Sequence, residues 1–172
     1  MTEADAPAPP EASAPPAHVV ETLRQAALLK NFTETGLMIL ASVADEKVLP
    51  PGTPLFVDNM LGDAMYFIAE GRLRISVRGP DGQEHALTYL DAGQSVGEAA
   101  LLRQGPRFCS ATAEVETTVI EISRKDVAQL QKNKPQACLK LLMNIADVLA
   151  GRLRGTESEL RRFLAWRVTQ GR

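Results

Sequence analysis

The feature that most constrains the fold is a run of short, strand-like segments between residues 46 and 122. Apolar residues recur there at about every second position, and glycine, proline and aspartate interrupt the runs. Short, evenly spaced strands of this kind are typical of antiparallel barrels and jelly rolls. Gly71 and Gly82 stand where hairpin turns need a residue that tolerates positive φ. The sequence therefore predicts a mainly β fold, an antiparallel β-roll over 46–122, whose last hairpin joins 109–115 to 117–122.

The segment before this run changes character near Val19. Of the first 17 residues, 11 are Ala or Pro, a composition that cannot bury enough apolar surface to fold. Residues 1–18 are therefore predicted to form a disordered tail. From Val19 the apolar spacing becomes helical and predicts two short helices, over 19–31 and 33–44. The folded domain is expected to comprise 19–172.

Helical spacing returns after the strands. Ser123 and Asp126 are typical of a capping box, which predicts a short helix over 123–132. Pro135 suits the first turn of a further helix, predicted over 136–166, which is unusually long for a small domain. Along it, apolar and small residues recur at spacings of three and four, as in a coiled coil: Ala146, Leu149, Leu153, Thr156, Leu160 and Phe163.

This stripe has two interpretations. It can pack on the β-roll of its own subunit, or it can pair with a second copy. The length of the helix favours the second, a homodimer, because its far half extends past a small barrel. Gly151 and Gly155, four residues apart in the same helix, either let another backbone approach or mark a bend.

Composition excludes several classes of function. A net charge of −2 argues against a surface built for nucleic acid. Two cysteines and two histidines offer little for a disulfide framework, a cluster or a metal site. The sequence shows neither a secretory leader nor an apolar run long enough for a membrane span, which predicts a cytoplasmic protein without membrane contact. Without a nucleophile elbow, a P-loop or an HExxH motif, no enzyme, cofactor or metal is expected.

One stretch, residues 90–112, has the character of a ligand site. Gly97 opens a predicted helical turn over 97–102, whose free amides can hold an anion. Arg107 follows Glu98 by nine residues and comes directly after Pro106, which stiffens the loop. An arginine fork suits a phosphate, and a carboxylate accepts hydrogen bonds from sugar hydroxyls. A Glu and an Arg at this spacing can also be an exposed surface pair, so the surrounding sequence pattern decides between a ligand site and a surface pair.

That pattern resembles the phosphate-binding cassette of the cyclic nucleotide-binding domain family, which includes catabolite activator proteins and protein kinase A regulatory subunits. The family pattern, Gly-Glu-x-Ala-Leu, a short loop and Pro-Arg-Ala-Ala-Thr, is matched by Gly97, Glu98, Ala100, Leu101, Pro106 and Arg107. The strands over 48–122 also resemble the β-roll of this family. By this resemblance Glu98 would bind the ribose 2′-hydroxyl, Arg107 the cyclic phosphate, and the amides of 98–101 would complete the phosphate cradle. The expected ligand site comprises Gly97, Glu98, Ala99, Ala100, Leu101, Arg107, Phe108, Cys109 and Thr156.

The chain departs from the family at Phe108 and Cys109, where small residues are usual. Phe108 has no hydroxyl to contact phosphate or guanine. In the family the long C-terminal helix covers the purine, and Thr156 lies at the corresponding distance from Pro135. Its hydroxyl could bind adenine, so cyclic AMP is expected as the ligand, with cyclic GMP as the alternative.

The resemblance implies a stand-alone sensor of cyclic AMP. Ligand binding would rearrange the C-terminal helix and affect an unidentified protein partner. One alternative is a ligand-free scaffold with a degenerate pocket, which Phe108 favours. Another is a fragment of a Crp/Fnr-type transcription regulator. By resemblance such a protein needs a helix-turn-helix after the long helix, and six residues follow Trp166, so no DNA binding is expected from this chain alone.

Overall fold

The computed structural model describes residues 14–170, apart from the side chains of Phe163 and Gln170. The predicted tail therefore falls largely outside the described residues, and its last two positions, Ala17 and His18, already belong to the first helix. The helices are α1 (Ala17–Gln25), α2 (Glu34–Ala41), α3 (Ala99–Leu102), α4 (Arg124–Asn133), α5 (Pro135–Gly155) and α6 (Glu157–Gln170). The strands are β1 (Asp45–Leu49), β2 (Pro54–Phe56), β3 (Leu61–Gly62), β4 (Ala64–Glu70), β5 (Arg72–Arg78), β6 (Glu84–Asp91), β7 (Ser95–Val96), β8 (Gly105–Pro106), β9 (Ser110–Ala113) and β10 (Thr117–Ser123).

The strands form an antiparallel β-roll, which confirms the predicted fold class. One sheet has the order β1-β10-β4-β7, a second has the order β2-β9-β5-β6, and β3 pairs with β8 in a small ribbon. Side chains such as Ile68, Leu73 and Val119 fill the interior of the roll. The opposite face of the first sheet, including Phe67 and Ile120, packs against the helices. Because β4 and β10 are covered on both sides, both of their faces carry buried residues, five in succession on β4 and four of seven on β10.

The prediction of a last hairpin was wrong. β9 pairs with β2 and β5, whereas β10 pairs with β1 and β4, so the two strands lie in different sheets. The connection at Gly71 is a similar corner, because β4 and β5 also belong to different sheets. Gly71 has φ +85°, and a Cβ there would lie 2.4 Å from the carbonyl oxygen of Glu116. The buried Thr117 hydroxyl bonds the backbone of Arg72 and joins the two corners.

The hairpin predicted at Gly82 is present, since β5 pairs with β6 around a loop from Gly79 to Gln83. The Gly79 amide donates to the Gln83 carbonyl at 2.8 Å, and Gly82 has φ +78°. This loop is longer than the predicted two-residue turn. The prediction thus gave the place of the hairpin correctly and the length of its turn incorrectly.

The short helices begin where their capping residues predict. The Ser123 hydroxyl accepts from the Asp126 amide at 3.2 Å, and the Asp126 carboxylate accepts from the Ser123 amide at 2.7 Å. This capping box starts α4. Thr33 caps α2 by accepting from the Gly36 amide at 3.2 Å. A 3₁₀ turn over Ala27–Leu29 separates α1 from α2 where one helix was predicted to continue to residue 31.

The predicted single helix over 136–166 is two helices. It begins at Pro135 and is interrupted at Thr156, where φ is −91° and ψ is 0°, directly after Gly155. The bend interpretation of the glycines is therefore the one that the structure favours. The first half of α5 is anchored in the helical core by Cys138, Leu141 and Ile145, whereas 151–162 are exposed. Within 14–170, no helix is both long enough and apolar enough to cross a membrane.

Candidate functional site

A cavity of about 430 Å³ opens between residues 95–109 and the outer half of α5. Apolar side chains from the β-roll and α5 form much of its wall: Phe56, Ile75, Leu90, Val96 and Leu149. Seven of the nine predicted site residues line it: Gly97, Glu98, Ala99, Ala100, Arg107, Phe108 and Cys109. The fold thus brings the sequence-predicted stretch to the mouth and floor of one cavity.

The predicted turn is α3, preceded by Gly97 at φ +84°. Gly97 is needed for its size as well as its φ, since a Cβ would lie 2.6 Å from Nη1 of Arg107. The amides of Ala100 and Leu101 donate to the carbonyls of Gly97 and Glu98 at 3.0 and 3.1 Å. Two of the four amides expected to hold phosphate are therefore engaged within the turn in this conformation.

Arg107 lies on the cavity floor and is only 8% exposed. Its Nη2 donates to the Ala64 carbonyl at 2.7 Å and its Nη1 to the Gly97 carbonyl at 3.4 Å. The guanidinium also stacks over the Phe56 ring at 4.2 Å. Its Nε is buried and has no acceptor among the described residues. A buried donor left unpaired is costly, so Arg107 fits a site that receives an anion.

The sequence did not show what holds this arginine. Gly62, on β3, approaches so closely that a Cβ would lie 2.7 Å from Nε. Phe56 and Tyr66 supply the aromatic faces beneath the guanidinium. These residues are far from Arg107 in the chain and reach it only through strand pairing. A glycine in the short β3 segment was the available signal, because glycine within a strand often marks close approach of another group.

Glu98 is the second buried charge of the cavity, with 2% of its surface exposed. Oε1 accepts from the Ser95 hydroxyl at 2.8 Å and from Nη2 of Arg152 at 3.0 Å. Nη1 of Arg152 lies 3.4 Å from Oε2. Arg152, in the last turn of α5, was not among the predicted site residues. It lies four residues before Thr156, on the same side of the helix, and that spacing was the signal available.

The two residues that depart from the family both line the cavity and differ in burial. Phe108 is 79% exposed, while Cys109 is 5% exposed and free. Burial raises the pKa of the Cys109 thiol, and Arg107 offsets part of that effect. Cys138 is also free and buried, in the helical core.

Two predicted site residues do not line the cavity. Leu101 is buried in the helical core on the far side of α3. The Thr156 hydroxyl donates to the Leu153 carbonyl at 3.0 Å and is exposed at the α5–α6 junction. Its role in contacting the base remains a prediction. Among residues 14–170, no group of three or more His, Cys, Asp and Glu is placed to hold a metal ion.

The geometry agrees with what comparison with known proteins shows. The sequence pattern of the family described as "Cyclic nucleotide-binding domain" matches residues 46–134. The chain belongs to this family. It is similar to the Cyclic AMP receptor protein of Thermus thermophilus, with 34% identity over 119 residues that cover 69% of this chain and 53% of that protein. The chain therefore spans about half the length of this curated relative.

Solved structures support the same family. The catabolite activator protein of Thermus thermophilus superposes with a TM-score of 0.71 at 31% identity, covering 79% of this chain and 62% of that one. A cyclic nucleotide-binding domain from Methylobacillus flagellatus shares the fold, with a TM-score of 0.72 at 22% identity over 84% of this chain and 82% of that one. This cyclic nucleotide-binding domain is thus homologous to regulators of the cyclic AMP receptor type.

Proposed function

We propose that this protein is a sensor that binds cyclic AMP and couples binding to its C-terminal helices. The observation that carries the proposal is the buried Arg107, which lines the same cavity as the buried Glu98 and whose Nε has no acceptor among the described residues. The Arg107 guanidinium suits a phosphate, and the Glu98 carboxylate suits a ribose hydroxyl. A 3′,5′-cyclic nucleotide presents both.

The charge of the cavity supports an anionic ligand. Its charged lining consists of one carboxylate, Glu98, and three arginines, Arg103, Arg107 and Arg152. The formal sum is +2, and Glu98 is already neutralised by its ion pair with Arg152. A cyclic phosphodiester would place its single negative charge near Arg107. The same field would draw an anion toward the cavity mouth.

Cyclic AMP is the proposed nucleotide, ahead of cyclic GMP. The relative with 34% identity is named for cyclic AMP. Phe108 lines the cavity where a hydroxyl side chain would favour the amino group of guanine. Both points concern the base, and neither alters the expected contacts of ribose and phosphate.

The output is proposed to pass through α5. Leu149 and Arg152 make this helix one wall of the cavity, and the break at Thr156 follows one turn later. A ligand that contacts this wall binds more tightly when the helix is in one position than in another. Binding therefore shifts the population of molecules toward the favoured helix position. The segment beyond the break, α6, would then present a different surface to a protein partner.

A second copy of the chain is the proposed partner of the outer face of α5. Apolar and small side chains recur along this face at alternating spacings of four and three: Leu139, Met143, Ala146, Ala150 and Leu153. Leu139, Met143 and Leu153 are 61%, 58% and 72% exposed. This is the seam spacing of a coiled coil. This face differs from the stripe predicted from the sequence, because Leu149 of that stripe lines the cavity instead.

Isothermal titration calorimetry of the full chain tests the nucleotide assignment. Cyclic AMP, cyclic GMP and a cyclic dinucleotide are compared with 5′-AMP, which carries adenine and ribose without the cyclic phosphate. We expect one cyclic AMP per chain, weaker binding of cyclic GMP and little binding of 5′-AMP. No binding of any nucleotide would overturn the sensor and favour the scaffold alternative.

A further inference from the structure

Arg124, the first residue of α4, contacts the end of the helical turn α3. Its Nη1 donates to the carbonyls of Ala100 and Leu101, each at 3.1 Å. The last carbonyls of a helix have no acceptor role within it, so they need a donor from elsewhere. Arg124 supplies that donor. It therefore holds the end of α3, from which residues 103–106 lead directly to Arg107.

The backbone of Arg124 is bonded to a second segment that supports Arg107. Its amide donates to the Asp63 carbonyl at 2.8 Å. The residues on either side of Asp63 contact Arg107. A Cβ on Gly62 would lie 2.7 Å from Nε of Arg107, and the Ala64 carbonyl accepts from its Nη2 at 2.7 Å. The start of α4 is thus tied both to the end of α3 and to the strand connection beside the buried guanidinium.

The stability of α4 does not account for an arginine at this position. A cation in the first turn of a helix faces the positive end of its dipole, which is unfavourable. The start of α4 is already capped by Ser123 and Asp126. Arg124 is exposed, so its side chain does not fill the core. The contribution of this side chain is therefore its pair of hydrogen bonds to α3.

We infer that Arg124 is a positioning residue for phosphate recognition, which acts by fixing the end of α3 and, through residues 103–106, Arg107. This inference rests on the proposed function, because it supposes that the phosphate of a cyclic nucleotide binds at Arg107. Arg124 is not among the residues that line the cavity, so it acts through the backbone and not by contact with the ligand. A cassette that is already held in place needs less ordering on binding, so affinity depends on this outer residue.

The test measures the affinity of cyclic AMP for the wild type, Arg124→Ala, Arg124→Lys and Lys125→Ala. Lys125 is the matched control, because it is exposed, lies in the same first turn of α4 and carries the same charge. We expect Arg124→Ala to weaken binding by roughly 10-fold, as the loss of hydrogen bonds from a charged donor predicts. Arg124→Lys keeps the charge without the fork, so its loss should be roughly threefold. Lys125→Ala should bind like the wild type.

A second measurement separates positioning from a general weakening of the site. The two phosphorothioate diastereomers of cyclic AMP carry sulfur in place of one or the other exocyclic oxygen. A rigidly held Arg107 distinguishes these two positions, so the wild type should prefer one diastereomer. In both Arg124 variants we expect this preference to fall, by at least about twofold in Arg124→Ala, because the arginine is less precisely oriented. Lys125→Ala should retain it.

The outcomes separate this inference from the proposal beneath it. If the wild type binds no cyclic nucleotide, the proposed function is overturned and the inference falls with it. If the wild type binds and Arg124→Ala has unchanged affinity or an unchanged diastereomer preference, only the positioning role is overturned. An equal loss in Lys125→Ala would show an effect of charge alone, which also contradicts the inference. Circular dichroism checks the fold of each variant. If Arg124→Ala does not fold, the diastereomer preference of Arg124→Lys decides, and a wild-type value there contradicts the positioning role.

Discussion

The two walls of the cavity are built in different ways. On the cassette side, Glu98 and Arg107 are 2% and 8% exposed, and hydrogen bonds from Arg107 reach carbonyls on two separate segments. The other side is formed by the end of α5, here called the lid. On the lid side, Leu149 is half-buried and Arg152 is largely exposed. One wall belongs to the β-roll, whereas the other is the end of α5, whose buried residues all lie between Cys138 and Ile145.

This difference separates recognition from response. A group fixed by packing and backbone contacts is already oriented for its ligand, so less ordering is needed on binding. A wall held by a half-buried leucine and by one arginine that is largely exposed can change position at smaller cost than a wall fixed by packing. We therefore expect substitutions in the cassette wall to change the affinity for the nucleotide. Substitutions along the lid should change the selectivity between nucleotides and the assembly of two copies of the chain.

The strongest test of the cassette wall is Arg107→Ala. Removing a charge that pairs with a desolvated phosphate should cost about 2 to 5 kcal/mol of binding free energy. Calorimetry with cyclic AMP measures the loss, and circular dichroism checks the fold. Arg78→Ala, which removes an exposed arginine from β5, serves as the control and should bind like the wild type. An unchanged titration of Arg107→Ala would contradict the site assignment.

Glu98→Ala should have a smaller effect on the same wall. It removes the acceptor for one hydroxyl, and a hydrogen bond to a charged group is worth about 1.5 to 3 kcal/mol. The loss should appear with cyclic AMP and be nearly absent with its 2′-deoxy analogue. Equal losses with both ligands would show that Glu98 acts through the structure of the cassette and not through the ribose.

The outer face of the lid helix is tested by Leu153→Asp. Leu153 is 72% exposed in the single chain, so its replacement should change the stability of the monomer by no more than about 0.5 kcal/mol. In a paired seam the same change would bury like charges and separate the copies. Sedimentation velocity should show a dimer for the wild type and a folded monomer for the variant. A monomeric wild type would refute the seam. Leu141→Ala, in the core, serves as the control and should destabilise the fold itself instead of only separating the two copies.

Thr156→Val should have the smallest effect. The Thr156 hydroxyl bonds to its own helix and lies outside the cavity, so the ratio of cyclic AMP to cyclic GMP affinity should change by less than about twofold. Competition binding with both nucleotides measures the ratio. A fall of about tenfold, as one lost hydrogen bond to the base would produce, would show that the lid brings Thr156 over the purine in the bound state.

Local sequence was sufficient for the parts of the site that depend on neighbouring residues. The glycine at 97, the helical turn after it and the return at Arg107 lie within one stretch, and each follows from its own backbone preference. The capping box at Ser123 was predictable for the same reason. The short, evenly spaced strands were enough to predict an antiparallel barrel or jelly roll, and the family resemblance added the β-roll.

The sequence by itself thus determined the fold class, the cassette and the identity of the two buried charges. The tertiary structure alone decided which strands share a sheet, because alternation along a strand does not specify its partners. It also decided that Gly62 and Phe56 hold Arg107 and that Arg152 pairs with Glu98, since these contacts join residues up to 54 positions apart. Such contacts form only when the chain packs and brings these distant segments together.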